Sequence, residues 1–131
     1  MNKSLSLVIT DRNPHVRALL CREFGSQGFR VTAAKDGDDV HRALLADPPP
    51  DLIILDLEMA GDSGITILEG IQRRLPGLPV VIHTFPMSGV SHPAVFKAAA
   101  LVEKSGDTAE LQAAVKRILN QSDAGLRHER A

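Results

Sequence analysis

Tryptophan and tyrosine are absent from this 131-residue sequence, and phenylalanine occurs only 4 times. The core must therefore be aliphatic, and the stacking platforms that single-stranded nucleic acids use are missing. The 1 cysteine, Cys21, excludes an internal disulfide and a multi-cysteine zinc site; beside an apolar helical stripe it reads as a small, partly buried residue. Excess charge of either sign is missing too, the formal net charge being −1. A dedicated polyanion-binding surface, and with it direct nucleic-acid binding, is not expected. No apolar run approaches the ~20 residues of a membrane span, and no signal-peptide pattern opens the chain. A cytoplasmic protein without membrane contact is the simplest expectation. Neither GxxxxGK[ST] nor GxGxxG occurs, so ATP or NAD is not expected as a direct ligand.

What is present is an ordinary globular composition, 44% apolar and 24% charged, on a chain long enough to bury one core. Its organising stretch is Asp51–Gly64, DLIILDLEMAGDSG. The run Leu52–Leu55 suits a strand buried on both faces of a parallel sheet, and it ends abruptly in Asp56. Four further strands are expected: Leu5–Thr10, Phe29–Ala33, Val80–Ile82 leading to His83-Thr84, and Leu101–Glu103 leading to Lys104. Between them lie helical stripes. Asn13 and Pro14 open the first, which carries Val16, Leu19, Leu20 and Phe24 and stops at Gly25 or Gly28. Asp36 and Asp39 resemble a capping box before Val40, Ala43 and Leu44, and Pro48-Pro49-Pro50 ends that helix. Ile65, Leu68, Ile71 and Leu75 form a third stripe, with Arg73 and Arg74 turned outward. Ser91 is the expected cap of a short helix from His92 to about Ala99. Asp107 and Glu110 cap the last, which carries Leu111, Ala114, Val115, Ile118 and Leu119. The domain is expected to close at residue 121, with residues 122–131 a polar, disordered tail. No output domain is legible after residue 120.

Strand and helix alternate five times, which implies an α/β, doubly wound (βα)5 domain: a five-stranded parallel sheet of order 2-1-3-4-5, flavodoxin-like. That order brings the strand-end residues Asp11, Asp56, Thr84 and Lys104 to one edge. Two close carboxylates repel unless a cation intervenes, and a hard divalent ion such as Mg²⁺ suits oxygen ligands while keeping its waters. A hydroxyl and an ammonium opposite them suit a phosphoryl group. The chemistry suggested is phosphoryl transfer to a carboxylate, with Asp56 as nucleophile. His83 reads as a packed or hydrogen-bonded histidine, and His15, His41, His92 and His128 as solvated.

Over residues 4–120 the chain resembles the receiver domain of two-component response regulators, CheY-like signalling modules. The resemblance is carried by VITD ending at Asp11, DLIILDLEMAGDSG around Asp56, PVVIHT ending at Thr84 and LVEKS around Lys104. It implies a phosphorelay switch rather than an enzyme, with Asp56 taking a phosphoryl group from a sensor histidine kinase or phosphotransfer protein. It implies Mg²⁺ held by Asp11, Asp56 and the backbone carbonyl of Glu58, and phosphoryl contacts from Thr84 and Lys104. It also implies a partner or homodimer surface made by helix 4, strand 5 and helix 5.

Several positions depart from that pattern. Thr10 stands where the family carries an acid, so weaker Mg²⁺ binding is expected. Ser105 follows Lys104 in place of a proline, which suggests a reshaped loop and a re-aimed Lys104. Phe85 replaces a small residue and could screen the site, Leu101 replaces an aromatic one, and Ala60 a proline. These departures motivate the alternative of a phosphorylation-independent pseudo-receiver, a protein-interaction module. A phosphohydrolase or mutase would require a D-x-D-x-[TV] signature after the first strand, where Asp11 is followed by Arg12-Asn13-Pro14.

Overall fold

The computed structural model describes residues 4–59, 63–85 and 91–130, with side chains through residue 121. Ala60, Gly61 and the Pro86–Gly89 stretch lie outside the described residues. Strands β1 (Ser6–Thr10), β2 (Arg30–Ala34), β3 (Leu52–Leu55), β4 (Val80–Thr84) and β5 (Ala100–Glu103) alternate with helices α1 (Pro14–Ser26), α2 (Gly37–Leu44), α3 (Gly64–Arg74), α4 (Pro93–Phe96) and α5 (Ala109–Arg130). All the pairings are parallel and the sheet order is β2-β1-β3-β4-β5, as the alternation implied.

The period-2 alternation of the strands feeds two cores. Leu7, Ile9, Leu52, Ile54 and Val81 face the layer containing Leu20, Phe24, Leu111, Val115 and Leu119 of α1 and α5. Val8, Ile53, Leu55, Val80 and Ile82 face Val40, Leu68, Ile71 and Val95 of the opposite layer. Every residue of β3 is fully buried, which is why its sequence shows no alternation. Each such aliphatic side chain contributes about 1.5–3 kcal/mol on burial. One aromatic pair, Phe24 and Phe29, packs edge to face with centroids 5.8 Å apart.

The helix ends refine the sequence reading. Asn13 Oδ1 accepts the His15 and Val16 N–H groups with Pro14 in the first turn, as expected. Gly25 stays inside α1, and Gly28, at φ +98°, makes the left-handed turn beyond it. Asp36 caps α2 through the Asp39 N–H, but Asp39 reaches back to the Lys35 N–H, one residue beyond a standard box. Its carboxyl is held below the usual range, first by that backbone bond. At α4 the cap is His92, not Ser91: His92 Nδ1 accepts the Ala94 N–H at 3.0 Å. The helix is correspondingly short, ending at Phe96 rather than near Ala99 because the chain must enter β5 at Ala100. Asp107 Oδ1 accepts the Ala109 N–H at the start of α5. The backbone of α5 continues to Arg130, where a disordered tail was expected from residue 122.

Gly64 opens α3 against the chain leaving β3. A Cβ there would lie 2.2 Å from the Leu57 carbonyl oxygen, a backbone atom. Gly64→Ala is therefore expected to destabilise the fold by about 2 kcal/mol or more in urea denaturation, as overpacking does. Gly77→Ala, into open space, should stay within about 0.5 kcal/mol.

Candidate functional site: an acidic pocket bridged by one lysine

β1 and β3 are neighbours in the sheet centre, so the residues that follow them, Asp11 and Asp56, arrive side by side. Both are completely buried. Carboxylates out of water need compensation, and a single ammonium supplies it. Lys104, following β5, places Nζ 2.7 Å from Asp56 Oδ2 and 2.9 Å from Asp11 Oδ2. Burial pushes its pKa down, but the hydrogen bonds and charges of the two carboxylates outweigh that and raise it above 10.5.

The remaining carboxylate oxygens are held by backbone. Asp56 Oδ1 accepts the Glu58 N–H at 2.9 Å, and the Arg12 N–H approaches Asp56 Oδ2 at 3.4 Å. Asp11 Oδ1 accepts the Asn13 N–H at 2.8 Å, while its backbone carbonyl accepts from Arg17 Nη1 at 2.6 Å. Thr10 Oγ1 is buried and accepts the Asp56 N–H at 2.8 Å. Asp11 Oδ2 has Lys104 close by but makes no aligned hydrogen bond.

Of the residues singled out in the sequence, the fold brings Asp11, Asp56 and Lys104 into direct contact. Thr84, buried at the end of β4, joins through its backbone carbonyl, which accepts the Lys104 N–H at 3.0 Å. Glu58 joins through its N–H, its carboxylate turning outward to Arg12 at 3.4 Å. Beside Ser105, Lys104 directs its ammonium at both carboxylates. The Lys104–Ser105 peptide is trans. Ser105 Oγ donates to the Asp107 carbonyl at 2.7 Å, closing the loop while leaving the ammonium on both carboxylates. Phe85 is exposed, at 58%. Arg12 and Arg17 are the contributors that sequence reasoning missed, along with the Thr10 hydroxyl's bond to the Asp56 N–H. The available signal was position: Arg12 directly follows Asp11, and Arg17 lies in the first turns of α1.

The histidines separate. His83 is buried, its Nδ1 without a partner, so it is packed rather than hydrogen-bonded there. Burial and then the Lys104 charge lower its pKa, with Asp11 and Asp56 opposing. His41 is exposed, as expected, with Nδ1 3.1 Å from Arg74 Nη1, whereas His92 caps α4. The His128 side chain lies outside those described. Cys21 is half-buried and burial raises its thiol pKa, consistent with a packing role.

Among the described residues, no group of three His, Cys, Asp or Glu side chains is gathered at metal-binding distance, and no helix is long and apolar enough to cross a membrane. The family model described as response regulator receiver domain matches residues 7–116. The chain belongs to that family. The receiver domain is 34% identical over 76 residues to the DNA-binding transcriptional regulator NtrC of Salmonella typhimurium, covering 58% of this chain and 16% of the relative. It is 34% identical over 83 residues to the transcriptional regulatory protein GlrR of Escherichia coli K12, covering 63% of this chain and 18% of the relative. The matched part thus spans less than a fifth of either regulator. Among solved structures, the response regulator TrrA of Thermotoga maritima in complex with Mg²⁺ and BeF superposes with TM-score 0.79 at 26% identity, covering 86% of this chain and 97% of that one. A complex of histidine kinase ThkA with TrrA matches with TM-score 0.78 at 27% identity, covering 88% and 98%.

Two outcomes test these electrostatics. Lys104→Ala leaves two buried carboxylates without their cation and should cost about 3 kcal/mol by chemical denaturation at pH 7. Because the pKa of Lys104 is raised on folding, its contribution is complete below pH 10.5 and fades as pH climbs through the raised value. His83 is shifted the other way. Below pH 6.5 the unfolded chain takes up a proton that the folded chain resists, so stability falls with acidification. His83→Val should flatten that fall between about pH 6.5 and 5 in thermal melts.

Proposed function

We propose that this receiver domain is a phosphorelay switch, with Asp56 as the phosphoacceptor. The observation that carries the reading is two fully buried carboxylates on adjacent strand ends under one ammonium. The donor is a phosphohistidine on a sensor histidine kinase or phosphotransfer protein; the similarity to a regulator solved with its kinase supports this partner. An Asp56 carboxylate oxygen attacks phosphorus in line. The O–P bond forms, the P–N bond breaks, and its electron pair stays on the donor imidazole. Lys104 moves with the charge, from the free carboxylates to the phosphoryl oxygens. Thr84 donates its hydroxyl to the phosphoryl group and reports its arrival. The role is signalling, cytoplasmic and not enzymatic. The exposed Phe96 and Leu101, at 76% and 38%, support the α4-β5-α5 side as the surface for a partner or homodimer.

The donor set fits Mg²⁺. Its chemistry is two buried carboxylates, and Asp11 Oδ2 lacks an aligned hydrogen bond; a hard cation with few protein ligands and several waters suits such a pair. Asp11, Asp56 and the Glu58 carbonyl would hold it, and when bound it neutralises charge on the transferring phosphoryl group. With Thr10 a hydroxyl, the site has one acid fewer than the family pattern, and the affinity is expected to be weak.

A second reading, a pseudo-receiver that binds partners without phosphorylation, is favoured by one feature. Lys104 already bridges both carboxylates and Thr10 already satisfies the Asp56 N–H, so the pocket closes on itself. Incubation with a phosphohistidine donor and Mg²⁺ should add ~80 Da by intact mass, a gain lost in Asp56→Asn. Absence of the gain, where a control receiver is labelled, favours the pseudo-receiver instead. Thr10→Asp should tighten Mg²⁺ binding about tenfold if the missing acid limits it.

A further inference from the structure

The loop after β1 is stapled at its base. Asp11 Oδ1 takes the Asn13 N–H, Asn13 Oδ1 takes the His15 and Val16 N–H groups, and Arg17 holds the Asp11 carbonyl. Arg12 sits in the middle of this fixed loop. Its N–H faces Asp56 Oδ2 and the Glu58 N–H holds Asp56 Oδ1, so both backbones are anchored on the acceptor carboxylate. Their side chains then meet outside it, Arg12 Nη2 lying 3.4 Å from Glu58 Oε2. The two are 63% and 42% exposed, over an Asp56 that is completely buried. Among the described residues, this is the one ion pair joining the loops after β1 and β3.

An incoming phosphoryl donor is an anion approaching a pocket with two carboxylates and one ammonium. Lys104 is committed to both carboxylates, which leaves Arg12 as the cation at the rim. A guanidinium matches phosphoryl oxygens through paired N–H donors. Its present partner is an exposed carboxylate, and such a pair is weak and readily exchanged. Resting on the reading of Asp56 as acceptor, we infer that Arg12 is a binding residue for the phosphoryl donor. It is parked on Glu58 in the free protein and swaps to the donor's phosphoryl oxygens, so that Glu58 sets how easily a donor enters. With a small acyl phosphate, an Asp56 oxygen attacks phosphorus, the acyl O–P bond breaks, and its electron pair leaves on the carboxylate product. Arg12 keeps its protons throughout.

The test follows phosphorylation of the full chain by acetyl phosphate with Mg²⁺, by intact mass against time. Arg12→Ala should raise the half-saturating donor concentration about tenfold, the worth of one charge-assisted hydrogen bond. The maximal rate should hold within about twofold, since the acceptor itself is untouched. Glu58→Gln should lower the half-saturating concentration, and Arg12→Lys should recover part of the loss. Unchanged values, or Arg12→Ala and Glu58→Gln moving it in the same direction, overturn the inference. A second arm needs no transfer: binding of phosphoramidate to the Asp56→Asn protein, read from backbone amide shifts around the pocket. Arg12→Ala in that background should weaken it and Glu58→Gln strengthen it. If the wild type gains no phosphoryl group, the acceptor reading fails, while equal phosphoramidate binding by these variants sinks the role of Arg12.

Discussion

The Lys104 ammonium lying across Asp11 and Asp56 is the contact on which the rest of this pocket depends. Removing two carboxylates from water costs several kcal/mol each, and their mutual repulsion adds to it. One cation at hydrogen-bond distance from both offsets these terms, but only if three strand ends hold it there. β1 and β3 must be adjacent to pair the acids, and β5 must end at the same edge to deliver the lysine. The order β2-β1-β3-β4-β5, all parallel, meets both conditions. Sheet and site are thus one constraint: the same parallel register that buries Leu52–Leu55 aims Asp56.

Around that contact, positions that depart from the receiver pattern are absorbed locally. Thr10 takes up a buried N–H, that of Asp56, and so holds the Asp56 backbone instead of adding charge. Ser105 closes its loop with a hydroxyl-to-carbonyl bond. One ammonium offsets half the charge of the two carboxylates, and the backbone N–H groups of Arg12, Asn13 and Glu58 face the carboxylate oxygens as well. The internal ion pair thus engages Lys104 with both acids at once.

Much of the fold was legible because buried parallel strands and amphipathic helices write different periods into a sequence. LIIL ending in Asp56, and the stripe from Leu111 to Leu119, could hardly be mistaken. Boundaries were less legible where two local signals competed. Ser91 and His92 both precede Pro93, and it is the imidazole that finds the Ala94 N–H. Asp39 could have closed a box on the Asp36 N–H but bonds the Lys35 N–H instead. At α5 the apolar stripe stops at Leu119, whereas the helical backbone runs on to Arg130.

Composition and periodicity alone determined the aliphatic core, the five alternations of strand and helix, and the set Asp11, Asp56, Thr84 and Lys104 at strand ends. Those properties are local, or follow from the handedness of parallel crossovers. Tertiary structure decided who touches whom. That Lys104 spans both acids, that Thr10 serves the Asp56 backbone, that His83 is buried with an unpartnered nitrogen, and that Arg12 and Glu58 meet beside Asp56 are through-space facts between residues far apart in sequence. Side-chain reach and the direction of each loop leaving the sheet set these contacts, and no spacing along the chain encodes them.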